Sequence, residues 1–138
     1  MARVLAIDYG QKRVGLAVTD NLQIIATSIG TVHSKDIFKF LYDYVSKETV
    51  ESFVVGLPMQ MNNQVSESAR FIEPFVKLLK KNFPNIPIHR VDERFTSKMA
   101  SRVILESGVS KKTRQNKALV DTVSAVIILQ SYLESKNY

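Results

Sequence analysis

The stretch Val4-Leu5-Ala6-Ile7-Asp8-Tyr9-Gly10 decides the fold of this chain, because an apolar run leads directly into an aspartate. The run predicts a buried strand that ends in a short polar turn. A second apolar run, Val14-Gly15-Leu16-Ala17-Val18-Thr19, follows at once. A carboxylate on a buried strand costs free energy unless a metal, a cation or a set of donors compensates its charge. Asp8 is therefore the first candidate for a functional residue.

The residues around Asp8 indicate what kind of chemistry it serves. Gly10 and Gly15 allow the backbone to turn tightly or a ligand to approach closely. Lys12 and Arg13 lie between the two strands and are both basic. An acid in a sheet core beside a basic hairpin favours metal-assisted chemistry on a phosphate.

Composition limits the classes of protein that remain. A chain of 138 residues is long enough for one domain with its own core, so we expect a single domain over 1–138. The net charge of +6 suits a polyanionic partner, although a basic protein without any nucleic-acid role has the same charge. The absence of cysteine excludes disulfides and thiolate metal sites. We find no signal-peptide pattern and no apolar run long enough for a bilayer, so we expect a cytoplasmic protein without membrane contact.

The rest of the chain alternates between predicted strands and helices. Further strands are predicted over 24–32, 53–58 and 87–91. Ser34 is the predicted N-cap of a first helix, Pro74 predicts a kink or a break in the second, and Thr96 begins a short third helix. A last helix is predicted over 118–135. Short connections favour antiparallel pairing and helical crossovers favour parallel pairing, so we expect an α/β fold with one mixed five-stranded sheet, three antiparallel strands then two parallel, flanked by helices.

Three acidic positions interrupt or close apolar segments. Asp8 ends the first strand, Asp92-Glu93 follows the fifth, and Asp121 lies within the last helix. These acids converge if the first and fifth strands are close and the last helix crosses their ends. Carboxylate clusters suit Mg²⁺ or Mn²⁺. Two such ions about 4 Å apart can activate a water and stabilise the leaving oxygen in phosphodiester hydrolysis.

Each acid also has a purely structural interpretation. Asp8 could be a turn residue that accepts backbone N–H bonds. Asp121 could be the N-cap or a first-turn acid of the last helix, favoured by the helix dipole. Asp92 and Glu93 could pair with neighbouring arginines on the surface. Strand periodicity does not decide between Asp92 and Glu93 as a metal ligand, because the two point to opposite faces if the strand reaches that far.

Four motifs in sequence order resemble those of the YqgF (RuvX) family. They are Ile7-Asp8-Tyr9-Gly10 through Thr19-Asp20, Val55-Gly56-Leu57-Pro58, Val91-Asp92-Glu93-Arg94-Phe95-Thr96-Ser97, and Val120-Asp121 through Ile127-Ile128-Leu129-Gln130. The resemblance implies a ribonuclease H-like fold, similar to that of Holliday junction resolvases. It also implies an acidic triad of Asp8, Glu93 and Asp121 that holds Mg²⁺ or Mn²⁺. The choice of Glu93 over Asp92 is made here by analogy alone.

The family resemblance further implies a nuclease that matures the 5′ end of the 16S ribosomal RNA precursor. We therefore expect an endonuclease with nucleic acid as its partner, RNA favoured over branched DNA, that acts on the immature small ribosomal subunit as a monomer or weak dimer. Basic residues are the candidates for phosphate contacts, namely Lys12, Arg13, Arg94, Lys111, Lys112, Arg114 and Lys117. For each of them, a solvated surface charge is the alternative.

Three other functions remain open at this point. A resolvase of four-way DNA junctions would use the same acids but would need two active sites and hence a dimer. An actin-like ATPase or sugar kinase shares the fold and the Asp-x-Gly turn, but encloses its nucleotide between two such lobes. A non-catalytic RNA-binding module would have lost a triad acid, and none is lost here.

The chain departs from the family pattern in two loops. Met61-Asn62-Asn63 stands where an acidic residue and a glycine are expected, and Gln115-Asn116-Lys117 replaces a denser basic run. Neither change touches the predicted metal ligands. Both lie in loops where contacts with the substrate are expected.

Overall fold

A computed structural model describes residues 2–57, 69–92 and 117–136. Its strands are β1 (Arg3–Tyr9), β2 (Arg13–Thr19), β3 (Ala26–His33), β4 (Val50–Leu57) and β5 (Ile88–Asp92). Its helices are α1 (Ile37–Lys47), preceded by a 3₁₀ turn at Ser34–Asp36, α2 (Ala69–Asn82) and α3 (Lys117–Lys136). The predicted helix after Thr96 lies outside the described residues.

The five strands form one mixed sheet in the order β3-β2-β1-β4-β5. β1 and β3 each pair antiparallel with β2, while β4 pairs parallel with both β1 and β5. The short β1–β2 and β2–β3 connections favour antiparallel hairpins, and the longer crossovers to β4 and β5 give parallel neighbours. The predicted mixed sheet is therefore confirmed. Because β1, β4 and β5 run parallel, their carboxyl ends meet at one edge, which we call the carboxyl edge.

Side chains alternate along the strands and build a separate core on each face of the sheet. On one face, Leu5, Ile7 and Phe53 pack with residues of α1 and α2. On the other, Val4, Ala6, Ala17 and Val54 pack with three residues of α3, Ala125, Ile128 and Leu129. The last helix predicted from the sequence is present as α3. We refer to the two sides as the α1/α2 face and the α3 face.

Two local predictions are wrong, and one alternative of a third is excluded. β1 extends through Asp8 and Tyr9, which were expected in a turn. The His33 side chain, rather than Ser34, accepts the capping bond from the Lys35 amide at the start of the 3₁₀ turn. Helix α2 continues through Pro74, where a kink or a break was expected, so the break is absent. Proline removes one backbone bond there, but the buried face of the helix packs on the sheet on both sides of it.

No helix within residues 2–57, 69–92 and 117–136 is long and apolar enough to cross a membrane.

Candidate active site

Asp8 lies at the carboxyl edge as the second-last residue of β1 and is half-buried. The pleat places it on the same face as Val4 and Ala6, both of which pack against α3. The next residue, Tyr9, points to the α1/α2 face, where its ring stacks on Phe75 with the centroids 4.2 Å apart. Asp8 is thus an acid within a strand, at the rim of the α3 core.

Glycine stands beside Asp8 on both neighbouring strands. Gly15 of β2 is its register partner. Gly56 of β4 follows Val55, the partner of Ile7, and therefore occupies the next register position. Neither glycine places a side chain next to the Asp8 carboxylate on the α3 face. Sequence reasoning noted Gly15 beside Asp8, but it quoted Gly56 only as part of the motif Val55-Gly56-Leu57-Pro58 and did not place it beside Asp8.

The β1–β2 turn carries two of the predicted phosphate-binding residues to the same edge. Lys12 is exposed, and Arg13 is half-buried at the start of β2. Arg13 has the same strand parity as Gly15, which puts it on the α3 face. The turn requires glycine at Gly10, because an added Cβ would lie 2.7 Å from the carbonyl oxygen of Arg13.

β5 shows which face its terminal acid occupies. His89 stacks on Tyr132 of α3 at 5.1 Å between ring centroids, and Val91 packs against the α3 core. Arg90 points the other way and bonds Glu73 of α2. By the same alternation, Asp92 falls on the α1/α2 face, opposite to Asp8. β5 is separated from β1 by β4 alone, so the two strands are roughly 10 Å apart. The first and fifth strands are therefore close, as the predicted convergence of the acids requires.

Arg90 fastens the carboxyl end of β4, and sequence reasoning gave it no role in the site. Its guanidinium donates to the carbonyl oxygens of Val55 (3.3 Å) and Gly56 (3.0 Å). It also pairs with the Glu73 carboxylate at 2.9 Å. These bonds tie β4, β5 and α2 together one strand away from Asp8. Arg90 therefore holds Gly56 at its position beside Asp8.

The remaining predicted site residues are described in part or lie outside the described residues. Position 121 is in α3, one helical turn before Ala125, which is buried against the sheet. Lys117 is the first residue of α3, and the side chains at 117 and 121 are outside the described part. The other predicted residues outside it are Glu93, Arg94, Lys111, Lys112 and Arg114. Among the described residues no group of three metal-ligating side chains occurs.

A second aspartate marks the opposite edge of the sheet. The carboxylate of Asp20, just after β2, accepts backbone N–H bonds from Ile24 (2.8 Å), Ile25 (2.8 Å) and Leu22 (3.2 Å). The bond from Ile25 contributes most to lowering the pKa of Asp20 below its ordinary value of 3.8, followed by that from Ile24. Asp20 thus shapes the β2–β3 loop.

The chain is similar to known proteins along its whole length. Residues 2–135 match the family described as RuvX, Holliday junction resolvase. A protein of Bacteroides thetaiotaomicron, 57% identical over 138 residues and covered completely by the match, is named "Putative pre-16S rRNA nuclease". A protein of the same name from Porphyromonas gingivalis is 60% identical over 135 residues, which is 98% of each chain.

The fold has a relative among solved structures. The RuvC protein of T. thermophilus, solved in complex with a Holliday junction substrate, aligns over 99% of this chain and 96% of its own. The TM-score is 0.57 and the sequence identity 16%. The likeness supports the predicted ribonuclease H-like fold class, and at this identity it concerns the fold alone.

Proposed function

The chain belongs to the RuvX family, and from this premise we propose that it is a metal-dependent endonuclease that processes the 5′ end of the 16S ribosomal RNA precursor. The proposed substrate, the 16S ribosomal RNA precursor, is taken from the name of two relatives. They are 57% and 60% identical to this chain over nearly its full length. The observation that carries the chemistry is the position of Asp8, on a sheet edge between two glycines. This is where a phosphate and a cation can approach a carboxylate.

We assign the metal ligands to Asp8, Glu93 and Asp121. The register supports Glu93 over Asp92, because Asp92 falls on the face away from Asp8. Helical spacing supports Asp121, which precedes the sheet-facing Ala125 by one turn. Carboxylate oxygens suit Mg²⁺ or Mn²⁺. When bound, the metal would supply an activated water and charge stabilisation of the leaving oxygen.

The reaction is hydrolysis of a phosphodiester. A water oxygen bonds to phosphorus, the bond from phosphorus to the leaving oxygen breaks, and that oxygen takes a proton. The residues of this chain orient the phosphate and neutralise its charge. Lys12 and Arg13 lie at the same edge as Asp8 and are the candidates within the described part. We propose that further basic residues also contact phosphates, namely Arg94, Lys111, Lys112, Arg114 and Lys117. We also propose that the enzyme is cytoplasmic and acts on the immature small ribosomal subunit.

Resolution of four-way DNA junctions is the second candidate. The description of the matching family names this activity. Symmetric cleavage of a junction requires two active sites and therefore a dimer of this chain. The dimer requirement separates the two functions experimentally.

A side-by-side cleavage assay tests the proposal. The purified protein is given single-stranded RNA that carries the precursor 5′ extension, and in parallel a four-way DNA junction, each with Mg²⁺, Mn²⁺ or EDTA. We expect metal-dependent cleavage of the RNA by a monomer and no symmetric cleavage of the junction. Symmetric cleavage of the junction alone, by a dimer, would establish the second candidate instead.

A further inference from the structure

We propose that an unpaired nucleobase of the substrate strand, next to the cleaved phosphate, binds in a pocket between the β1–β2 turn and the start of α2. The pocket has a volume of about 200 Å³ and is lined by Tyr9, Gly10, Gln11, Phe71 and Ile72. Its size is below that of pockets for drug-sized ligands, about 300–1,000 Å³, and suits a single planar ring system. The assignment of its occupant as part of the substrate rests on the proposed function.

The walls of the pocket have the chemistry that holds a base. Phe71 is a lining residue and is 37% exposed, so its side chain is accessible to a ligand in the pocket. Tyr9 is fixed in place because its ring stacks on Phe75 with an interplanar angle of 10°. The exposed Gln11 side chain offers both amide donors and an acceptor. Aromatic rings bind bases of any sequence by stacking.

A positive charge accompanies the aromatic wall. The Arg70 guanidinium lies 5.3 Å from the centroid of the Phe71 ring. A base in the pocket would therefore have a cation close to it. This combination of stacking and positive charge is typical of proteins that bind single-stranded nucleic acid.

The position of the pocket connects it to the catalytic edge. Asp8 and Tyr9 are consecutive in β1 and point to opposite faces of the sheet. A strand that crosses the edge at Gly10 can place a phosphate on the Asp8 side and a neighbouring base on the Tyr9 side. A base within a duplex is stacked and paired and must leave the helix to reach such a pocket. The pocket thus selects an unpaired strand.

Binding measurements in EDTA test the pocket without requiring catalysis. The probes are a fluorescent single-stranded RNA, a strand of equal length without bases, and an RNA duplex. Phe71→Ala should weaken binding of the RNA by about tenfold or more, because base stacking on an aromatic ring contributes about this much. It should leave binding of the baseless strand and the duplex unchanged. Phe71→Trp should bind the RNA as the wild type does.

The matched control is Leu78→Ala, because Leu78 is an apolar residue of the same helix and is 49% exposed. We expect it to change none of the three affinities. The pocket proposal is overturned if Phe71→Ala loses equal affinity for the RNA and the baseless strand. It is also overturned if Phe71→Ala loses no affinity for the RNA. Failure of wild-type protein to cleave RNA would refute the proposed function but not a Phe71-dependent affinity for bases. Normal cleavage without that dependence would refute only the pocket.

Discussion

Asp8 and Asp20 follow or end apolar strands at opposite edges of the same sheet, yet their surroundings differ. Asp20 accepts three backbone N–H bonds, and its loop is built around them. Asp8 stands in the strand itself, between Gly15 and Gly56 of the neighbouring strands. The structural role that a turn aspartate can have is fulfilled by Asp20. The comparison teaches that the environment of an aspartate, rather than its residue type, distinguishes the acid that folds a loop from the one that we propose as a metal ligand.

The largest expected effect is on cleavage at the carboxyl edge. Asp8→Asn should abolish metal-dependent cleavage, because the neutral amide is a much poorer ligand for a hard cation than the carboxylate it replaces. The fold and much of the RNA affinity should remain, as measured by circular dichroism and by binding in EDTA. Asp36→Asn, a change at an exposed aspartate, is the control and should cleave normally. Cleavage by Asp8→Asn at the wild-type rate would refute the triad.

Arg90→Met should affect both stability and activity. The variant leaves the Glu73 carboxylate without this cation and removes donors from the carbonyl oxygens of Val55 and Gly56. We expect the free energy of unfolding to fall by about 2–3 kcal/mol in urea titrations. We also expect kcat to fall, because Gly56 is positioned beside Asp8.

Glu73→Gln serves as the comparison for Arg90→Met. It removes the ion pair with Arg90 but not the bonds to β4, so it should lose less stability and retain kcat. Equal effects of the two variants on kcat would show that the β4 bonds of Arg90 do not support the site.

Thr19→Val should affect stability alone, because Thr19 lies next to Asp20, at the edge of the sheet opposite to Asp8. The fully buried Thr19 hydroxyl accepts the Val4 N–H at 2.9 Å, and valine has the same shape without an acceptor. A buried donor left without a partner costs about 1–3 kcal/mol. Chemical denaturation should show this loss, while the specific activity of the folded variant should equal that of the wild type. Reduced specific activity would contradict the separation of the two edges.

The smallest expected effect concerns acid stability. The pKa of Asp20 is lower in the folded protein than its ordinary value of 3.8, so its ionised form stabilises the fold. That contribution is present above the unfolded pKa and is lost as the pH falls through the folded pKa. Asp20→Asn should therefore lower the Tm at neutral pH and lose less Tm than the wild type on acidification below about pH 4. Parallel Tm profiles of the two proteins would contradict this role.

The sequence was sufficient for the strands and helices of the described residues and for singling out Asp8 as an acid at the end of a strand, because these depend on local patterns. Apolar runs ending in glycine, proline or acids determine the strands, and an aspartate after such a run is visible without any structure. Gly56 was missed because its place beside Asp8 follows from the parallel register of β4 on β1, between residues far apart in the chain.

Two further differences between the predicted and the observed structure also depend on contacts between residues far apart in the chain. Only the packing of β5 against α2 and α3 shows that Asp92 faces away from Asp8, since a shift of one residue in the strand reverses every side chain. The expected break at Pro74 followed from a correct local rule. Packing of the buried face of α2 on the sheet outweighs that rule.

The arrangement of the α3 face has a consequence for the order of events during synthesis. Val4, Ala6, Ala17 and Val54 all leave the ribosome before α3, the helix that packs on them. Until α3 emerges, this apolar face of the nascent sheet has no contact with it, and the proposed ligand Asp121 is still missing. Folding of the second core and assembly of the proposed metal site would therefore be completed by the same helix. A ribosome that stalls before α3 would release a chain that lacks both the second core and the proposed metal site, and we expect such a chain to have no nuclease activity.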